Sequence, residues 1–137
     1  MESHYNLGIA YREMGLLDDA ISEFEKAEKD PARFVDCQTL KGLCYQDKGD
    51  LTSAETMYQQ ALDSQFLQGE QRLSLSFELG ALYESSDRLE EALSSYRAVM
   101  SQDESFRDVK SRVDALQEKL GLVDDQPEES NERISFL

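Results

Sequence analysis

Tryptophan is absent from this 137-residue chain, which holds a single histidine, two prolines and two cysteines. No nucleophile pairs by motif with the lone His4, so base-activated nucleophilic catalysis has no constellation to rest on, and His4 reads as a packing residue. Cys37 and Cys44 lie seven residues apart in one expected helix, their Cα atoms ~10 Å apart at the α-helical rise. That exceeds the ~7 Å span of a disulfide, and without further thiols or imidazoles they make no zinc site. Partly buried thiols of a reducing compartment are expected, which points to the cytoplasm. Cationic residues are also scarce: 14 Lys and Arg stand against 29 Asp and Glu, leaving a formal charge of −15. Such a surface repels nucleic-acid phosphates and anionic lipid faces, so neither is an expected partner. No apolar run approaches the ~20 residues that span a bilayer, and no signal-peptide core opens the chain. The seven glycines form no phosphate-cradling loop, and there is no HExxH or EF-hand spacing. Carboxylates are plentiful, but Glu23, Glu25, Glu28, Glu90 and Glu91 read as solvated helix faces. No catalytic residue, metal site or cofactor is expected.

What is present is repetition. Apolar residues make up 39% of the chain, enough for a core. Three segments align, beginning at His4, Gln38 and Ser76, offset by 34 and then 38 residues (42 − 8 and 80 − 42). Their shared columns are Gly8/Gly42/Gly80, Tyr11/Tyr45/Tyr83, Ala20/Ala54/Ala92 and Phe24/Tyr58/Tyr96. Between the glycine–tyrosine and alanine–aromatic clusters lies a turn, at Gly15-Leu16-Leu17, Gly49-Asp50-Leu51 and Ser86-Asp87-Arg88. Glycine there supplies the positive φ that closes a first helix. Asp18 and Thr52 are placed to cap the second helix, with Thr52-Ser53-Ala54-Glu55 a capping box. The small Gly and Ala columns mark a close crossing within each pair, and the six aromatics fill the space between neighbouring pairs. One pair cannot bury its apolar face alone, so the pairs stack.

These columns resemble the tetratricopeptide repeat family over about residues 2–102, with Leu-Gly-x-x-Tyr on a first helix and Ala, aromatic, Ala on a second. Lys41 replaces the usual Leu, Asp87 the turn Gly, and Val99 the final Ala; the inter-repeat Pro survives as Pro31, shifted by one residue. The resemblance implies an all-α solenoid of three helix-turn-helix repeats, about 1–31, 35–68 and 73–104. The four extra residues of the second offset fall around Gln65-Phe66-Leu67-Gln68-Gly69, as a longer connection or added helical turn, or as a recognition loop showing Phe66 and Leu67.

Beyond the repeats, Phe106, Val109, Val113, Leu116 and Leu120 form one helical stripe. With Ser105 as N-cap and Gly121 as C-cap, residues 105–121 read as a terminal capping helix. Residues 122–137 form an acidic tail ending in Ile134, Phe136 and Leu137, a candidate docking end for an apolar groove here or on a neighbour. The first helix begins almost at Met1 without a capping element, so the chain is expected to be cut from a longer polypeptide or to meet another chain there.

The resemblance further implies that first helices line a concave groove. Position by position, that face comprises Tyr5, Asn6, Ile9, Arg12 and Glu13, then Asp36, Thr39, Leu40, Leu43, Gln46 and Asp47, then Phe77, Glu78, Ala81 and Glu84. Its middle is apolar and its edges acidic. The family's chaperone-binding members hold a terminal carboxylate with Lys, Arg and Asn; here Tyr5, Ile9, Leu40, Ser74 and Glu78 take those positions, and only Asn6 is of the right type, so such a clamp is not expected. Leu40, Leu43 and Phe77 read either as inter-helix packing or as a seat for an amphipathic helix or apolar segment with basic flanks. The expected function is a noncatalytic interaction module; the alternative is a self-association domain.

Overall fold

The computed structural model describes residues 2–122. Among these residues there are seven α-helices and one short 3-10 turn, without strands. The helices are α1 (Glu2–Glu13), α2 (Leu17–Ala27), α3 (Phe34–Asp47), α4 (Leu51–Leu62), α5 (Gly69–Ser85), α6 (Leu89–Gln102) and α7 (Val109–Lys119). They pair as α1 with α2, α3 with α4 and α5 with α6, and α2 packs on α3, α4 on α5 and α6 on α7.

The turns within the pairs share one geometry. Gly15, Gly49 and Asp87 adopt φ of 79°, 83° and 62°. The next residue then donates back to a tyrosine carbonyl: Leu16 to Tyr11 at 2.9 Å, Asp50 to Tyr45 at 2.8 Å, Arg88 to Tyr83 at 2.8 Å. This 6→1 closure satisfies the last carbonyls of each first helix. Aspartate tolerates the left-handed region, so Asp87 stands in for glycine without changing the turn.

The same closure shifts the helix starts. The expected caps Asp18 and Thr52 lie inside the first turns of α2 and α4. Leu16 occupies the N-cap position of α2 without a side-chain bond. Asp50 caps α4, accepting from the Ser53 amide at 3.1 Å and hydroxyl at 2.7 Å. Those two bonds hold its carboxyl below the ordinary aspartate range. Because Leu16 and Asp50 are fixed by the tyrosine carbonyls, the second helices begin before Asp18 and Thr52, and Glu55 turns instead to Tyr83 at 3.0 Å and Arg88 at 2.8 Å.

The crossings are as close as the small columns require. A Cβ added to Gly8, Gly42 or Gly80 would lie 2.6, 2.4 or 2.6 Å from the ring of Phe24, Tyr58 or Tyr96. Those three rings are fully buried and lie over the glycine of their own pair, a correction to the expectation that they sit between pairs. Tyr83 does join pairs, through its bond to Glu55.

Two apolar clusters result: one around Ala20, Ile21, Phe24, Cys37 and Cys44, and a larger one running from Val35 through Tyr58, Leu79 and Tyr96 to Leu116. Tyr45 packs against both. Burial pushes the thiols of Cys37 and Cys44 up to about 12 and about 11. Lys41 is buried in the column otherwise held by Leu79, and its Nζ lies 2.7 Å from Glu28 Oε1 at the end of α2. Glu23 is likewise a contact residue, accepting from His4 at 2.7 Å and held below the ordinary glutamate range chiefly by that bond. These pairings correct the reading of Glu23 and Glu28 as a solvated face, and place His4 half-exposed at a polar contact.

The extra residues between α4 and α5 divide between a connection at 63–68 and a lengthened α5 of 17 residues. Phe66 is exposed there, whereas Leu67 packs on the larger core. The final helix starts later than expected. Ser105 does not cap it; its amide and hydroxyl turn to Asp103 at 3.0 and 2.7 Å, and α7 begins at Val109 after Arg107 adopts φ 47°. Gly121, at φ 75°, closes α7 as expected, with Leu122 donating to Gln117 at 2.7 Å.

Candidate functional site

The first helices α1, α3 and α5 and the final α7 are joined along one face by polar contacts. Arg12 of α1 reaches Asp47 of α3 at 3.3 Å. Gln71 of α5 donates to Asp36 of α3 at 3.1 Å. Arg107 and Arg112 reach Glu78 and Glu84 of α5, at 3.2 and 3.3 Å. This is the face to which the groove residues were assigned, and it holds most of them. Asn6 and Glu13 are exposed. Tyr5, Ile9 and Leu40 are half-buried against the N-terminal cluster, Leu43 against the larger one, and Ala81 and Glu78 are half-buried on α5. Asp36, Thr39, Glu70, Gln71, Ser74 and Leu75 line a shallow hollow of about 170 Å³ between α3 and α5.

Phe77 is the exception. It is buried in the core, its ring 5.3 Å from Tyr96 and 5.9 Å from Phe106. The guanidiniums of Arg107 and Arg112 cover it at 4.8 and 5.2 Å. The turn before α7 folds Phe106 and Arg107 across the middle of α5, which takes Phe77 out of any groove. Tyr5, in the same column, is edge-on to Phe24 at 6.2 Å and lies under Arg33 at 4.1 Å. Arg33, Arg107 and Arg112 thus belong to this face, though none was among the expected site residues. A signal existed: Arg33 and Arg107 each stand shortly before the next helix, 28 and 30 residues after Tyr5 and Phe77 (33 − 5 and 107 − 77), the aromatics of one repeat column.

Among the described residues, Arg12, Arg33, Arg107 and Arg112 of this face are all engaged. Arg12 and Arg107 are ion-paired, and Arg33 stacks on Tyr5. Arg112 bonds Asp108 at 3.0 Å and donates to the Tyr96 hydroxyl at 3.0 Å. Burial pushes that hydroxyl up to about 12, so it stays protonated and donates in turn to Glu84 at 2.9 Å. Among the described residues no group of His, Cys, Asp and Glu is placed to hold a metal ion. No helix among the described residues is long and apolar enough to cross a membrane. The docking residues Ile134, Phe136 and Leu137 lie outside the described residues.

Two family models, each described as tetratricopeptide repeat, match residues 2–29 and 39–105. The chain belongs to the tetratricopeptide repeat family. The fold agrees. A crystal structure of MamA superposes with a TM-score of 0.74 at 21% identity, covering 88% of this chain and 68% of that one. A second MamA structure scores 0.72 and covers 64% of its own chain. The first TPR of Spaghetti (RPAP3), bound to HSP90 peptide SRMEEVD, scores 0.73 at 19% identity over 87% of this chain and 94% of its own. No curated protein sequence matches. In tetratricopeptide terms, the Leu-Gly-x-x-Tyr columns build the crossings and turns described above.

Proposed function

We propose that this chain is a noncatalytic protein-interaction module that binds a peptide or helix along its first-helix face. The observation that carries the reading is the strip of half-buried apolar side chains, Ile9, Leu40, Leu43 and Ala81, bordered by Glu13, Asp36, Asp47, Glu70 and Glu78. An apolar strip between carboxylates suits an apolar segment with Lys or Arg at its flanks. The structural neighbour bound to SRMEEVD supports peptide binding on this fold. That peptide is acidic, whereas the cations of the face here are already paired, so the partner read from these residues has the opposite charge.

A fluorescent amphipathic peptide of leucine and lysine tests the reading, with a leucine–glutamate peptide of the same pattern as comparison. Binding of the basic peptide is expected, weakening as salt rises from about 0.05 to 0.5 M because exposed charge pairs are screened. Leu40→Glu should abolish it while leaving the far-ultraviolet circular dichroism unchanged. Equal binding of both peptides, or full binding by Leu40→Glu, would refute the assignment.

A further inference from the structure

The two ends of the helix stack are finished differently. In α3, α5 and α7 one stripe is buried against the second helix of the preceding pair: Cys37, Lys41 and Cys44; Leu75, Leu79 and Leu82; Val109, Val113 and Leu116. The same columns on α1 are Ser3, Leu7 and Ala10, continued one turn on by Met14, and all four are exposed. Leu7 and Met14 are exposed by 40% and 61%. At the other end, α7 shows Lys110, Ser111, Asp114 and Glu118 to solvent, and Asp114 stands where α1, α3 and α5 carry their crossing glycine. The C-terminal end is sealed by charge; the α1 end presents an apolar helix face continuous in register with the internal interfaces.

We propose that this face pairs with the same face of a second copy, α1 against α1 in antiparallel orientation about a two-fold axis. The sequence of the stripe selects that occupant. Small and large side chains alternate as Ser3, Leu7, Ala10, Met14. A two-fold axis passing between positions 8 and 9 sets Leu7 of each copy over Ala10 of the other, and Met14 over Ser3. Each large side chain meets a small one, the pattern by which facing helices interdigitate. Parallel pairing sets Leu7 on Leu7 and Met14 on Met14 and leaves gaps at Ser3 and Ala10. On the flanks, antiparallel pairing brings the Asn6 amide toward Glu13 and His4 toward Tyr11, with no like charges opposed. One 12-residue helix buries less than the ~800 Å² per partner of a standard interface, so the dimer forms on the order of 10–100 µM.

Sedimentation equilibrium of the full chain across that range is expected to show a monomer–dimer equilibrium. Leu7→Glu and, separately, Met14→Glu should raise the dissociation constant by ~100-fold or more, since each places a carboxylate at the centre of the contact. Unchanged circular dichroism and melting would show that the variants fold. Phe66→Glu, which alters an exposed aromatic elsewhere, should leave the equilibrium unchanged. Orientation is read by mixing Leu7→Cys with Ala10→Cys under oxidation; the buried Cys37 and Cys44 do not compete. Mixed disulfides should form faster than either self-disulfide. A monomer at every concentration would overturn the proposal. So would a dimer indifferent to both glutamate variants, a dimer lost only on Phe66→Glu or on removal of residues 123–137, or Leu7→Cys crosslinking mainly to itself.

Discussion

Breaking the Lys41–Glu28 pair should cost more than any other single ion pair described here, because Lys41 is the one buried cation among the described residues. Its side chain is 7% exposed and that of Glu28 25%, with Nζ 2.7 Å from Oε1. Glu28→Ala leaves an ammonium in an apolar seat between α2 and α3. Removing one partner of a buried pair typically costs ~3–5 kcal/mol, and the partial exposure of Glu28 places this case near 3. An opposing effect exists, since Glu28 caps the C-terminal end of α2 and a negative charge there is unfavourable by about 0.5 kcal/mol. The pair wins by a wide margin, so Glu28→Ala should lower stability by ~2.5 kcal/mol, or ~10 °C in melting temperature for a domain of this size. Lys41→Met behaves differently. It restores an apolar side chain to the column of Leu79 and frees Glu28 to turn outward, so stability should hold or rise by up to ~1 kcal/mol. The double variant Glu28→Ala/Lys41→Met should resemble Lys41→Met alone, giving a coupling of ~2–3 kcal/mol in the cycle. Urea denaturation followed by circular dichroism supplies all four free energies. Additive effects, or a Glu28→Ala loss below ~0.5 kcal/mol, would show that the Lys41 ammonium reaches water and that the pair is an ordinary surface contact.

Gly42→Ala sets helix propensity, worth about 1 kcal/mol in favour of alanine, against a Cβ placed 2.4 Å from the fully buried ring of Tyr58. Overpacking of ~1–3 kcal/mol should prevail, with a net loss near 1 kcal/mol by denaturant titration, and a stabilised variant would show that α3 and α4 can part freely. Asp50 is expected to give an acid-limb signature. Its folded pKa lies below the ordinary value, so its stabilisation is present above about pH 4, the unfolded value, and is lost as pH falls through the folded pKa. Asp50→Asn should therefore flatten the decline of melting temperature below that pH, and identical profiles for the two proteins would refute the capping role.

Much of the fold was legible because a repeat states its structure several times. Glycine at 8, 42 and 80 with alanine at 20, 54 and 92 required a close crossing of two helices, and the turn column required a positive φ even where Asp87 fills it; the aromatics at 24, 58 and 96, expected between pairs, lie over those glycines instead. The family resemblance also assigned Ile9, Leu40, Leu43 and Ala81 to the first-helix face, and all four are half-buried. What it could not determine were the matters that depend on which neighbour arrives. Caps were misplaced because the tyrosine carbonyls, acting across the turn, decide where the second helices begin. Phe77 and Tyr5 share a column, yet α7 and its preceding turn bury one under two arginines while Arg33 leaves the other half-open. Lys41 breaks the apolar column in sequence and is reconciled only in space, by Glu28 from the helix before it. Local residues encode the helix, the turn and the crossing through backbone geometry and side-chain size. Burial and charge pairing are set between segments far apart in the chain, and those were decided by the stacking itself.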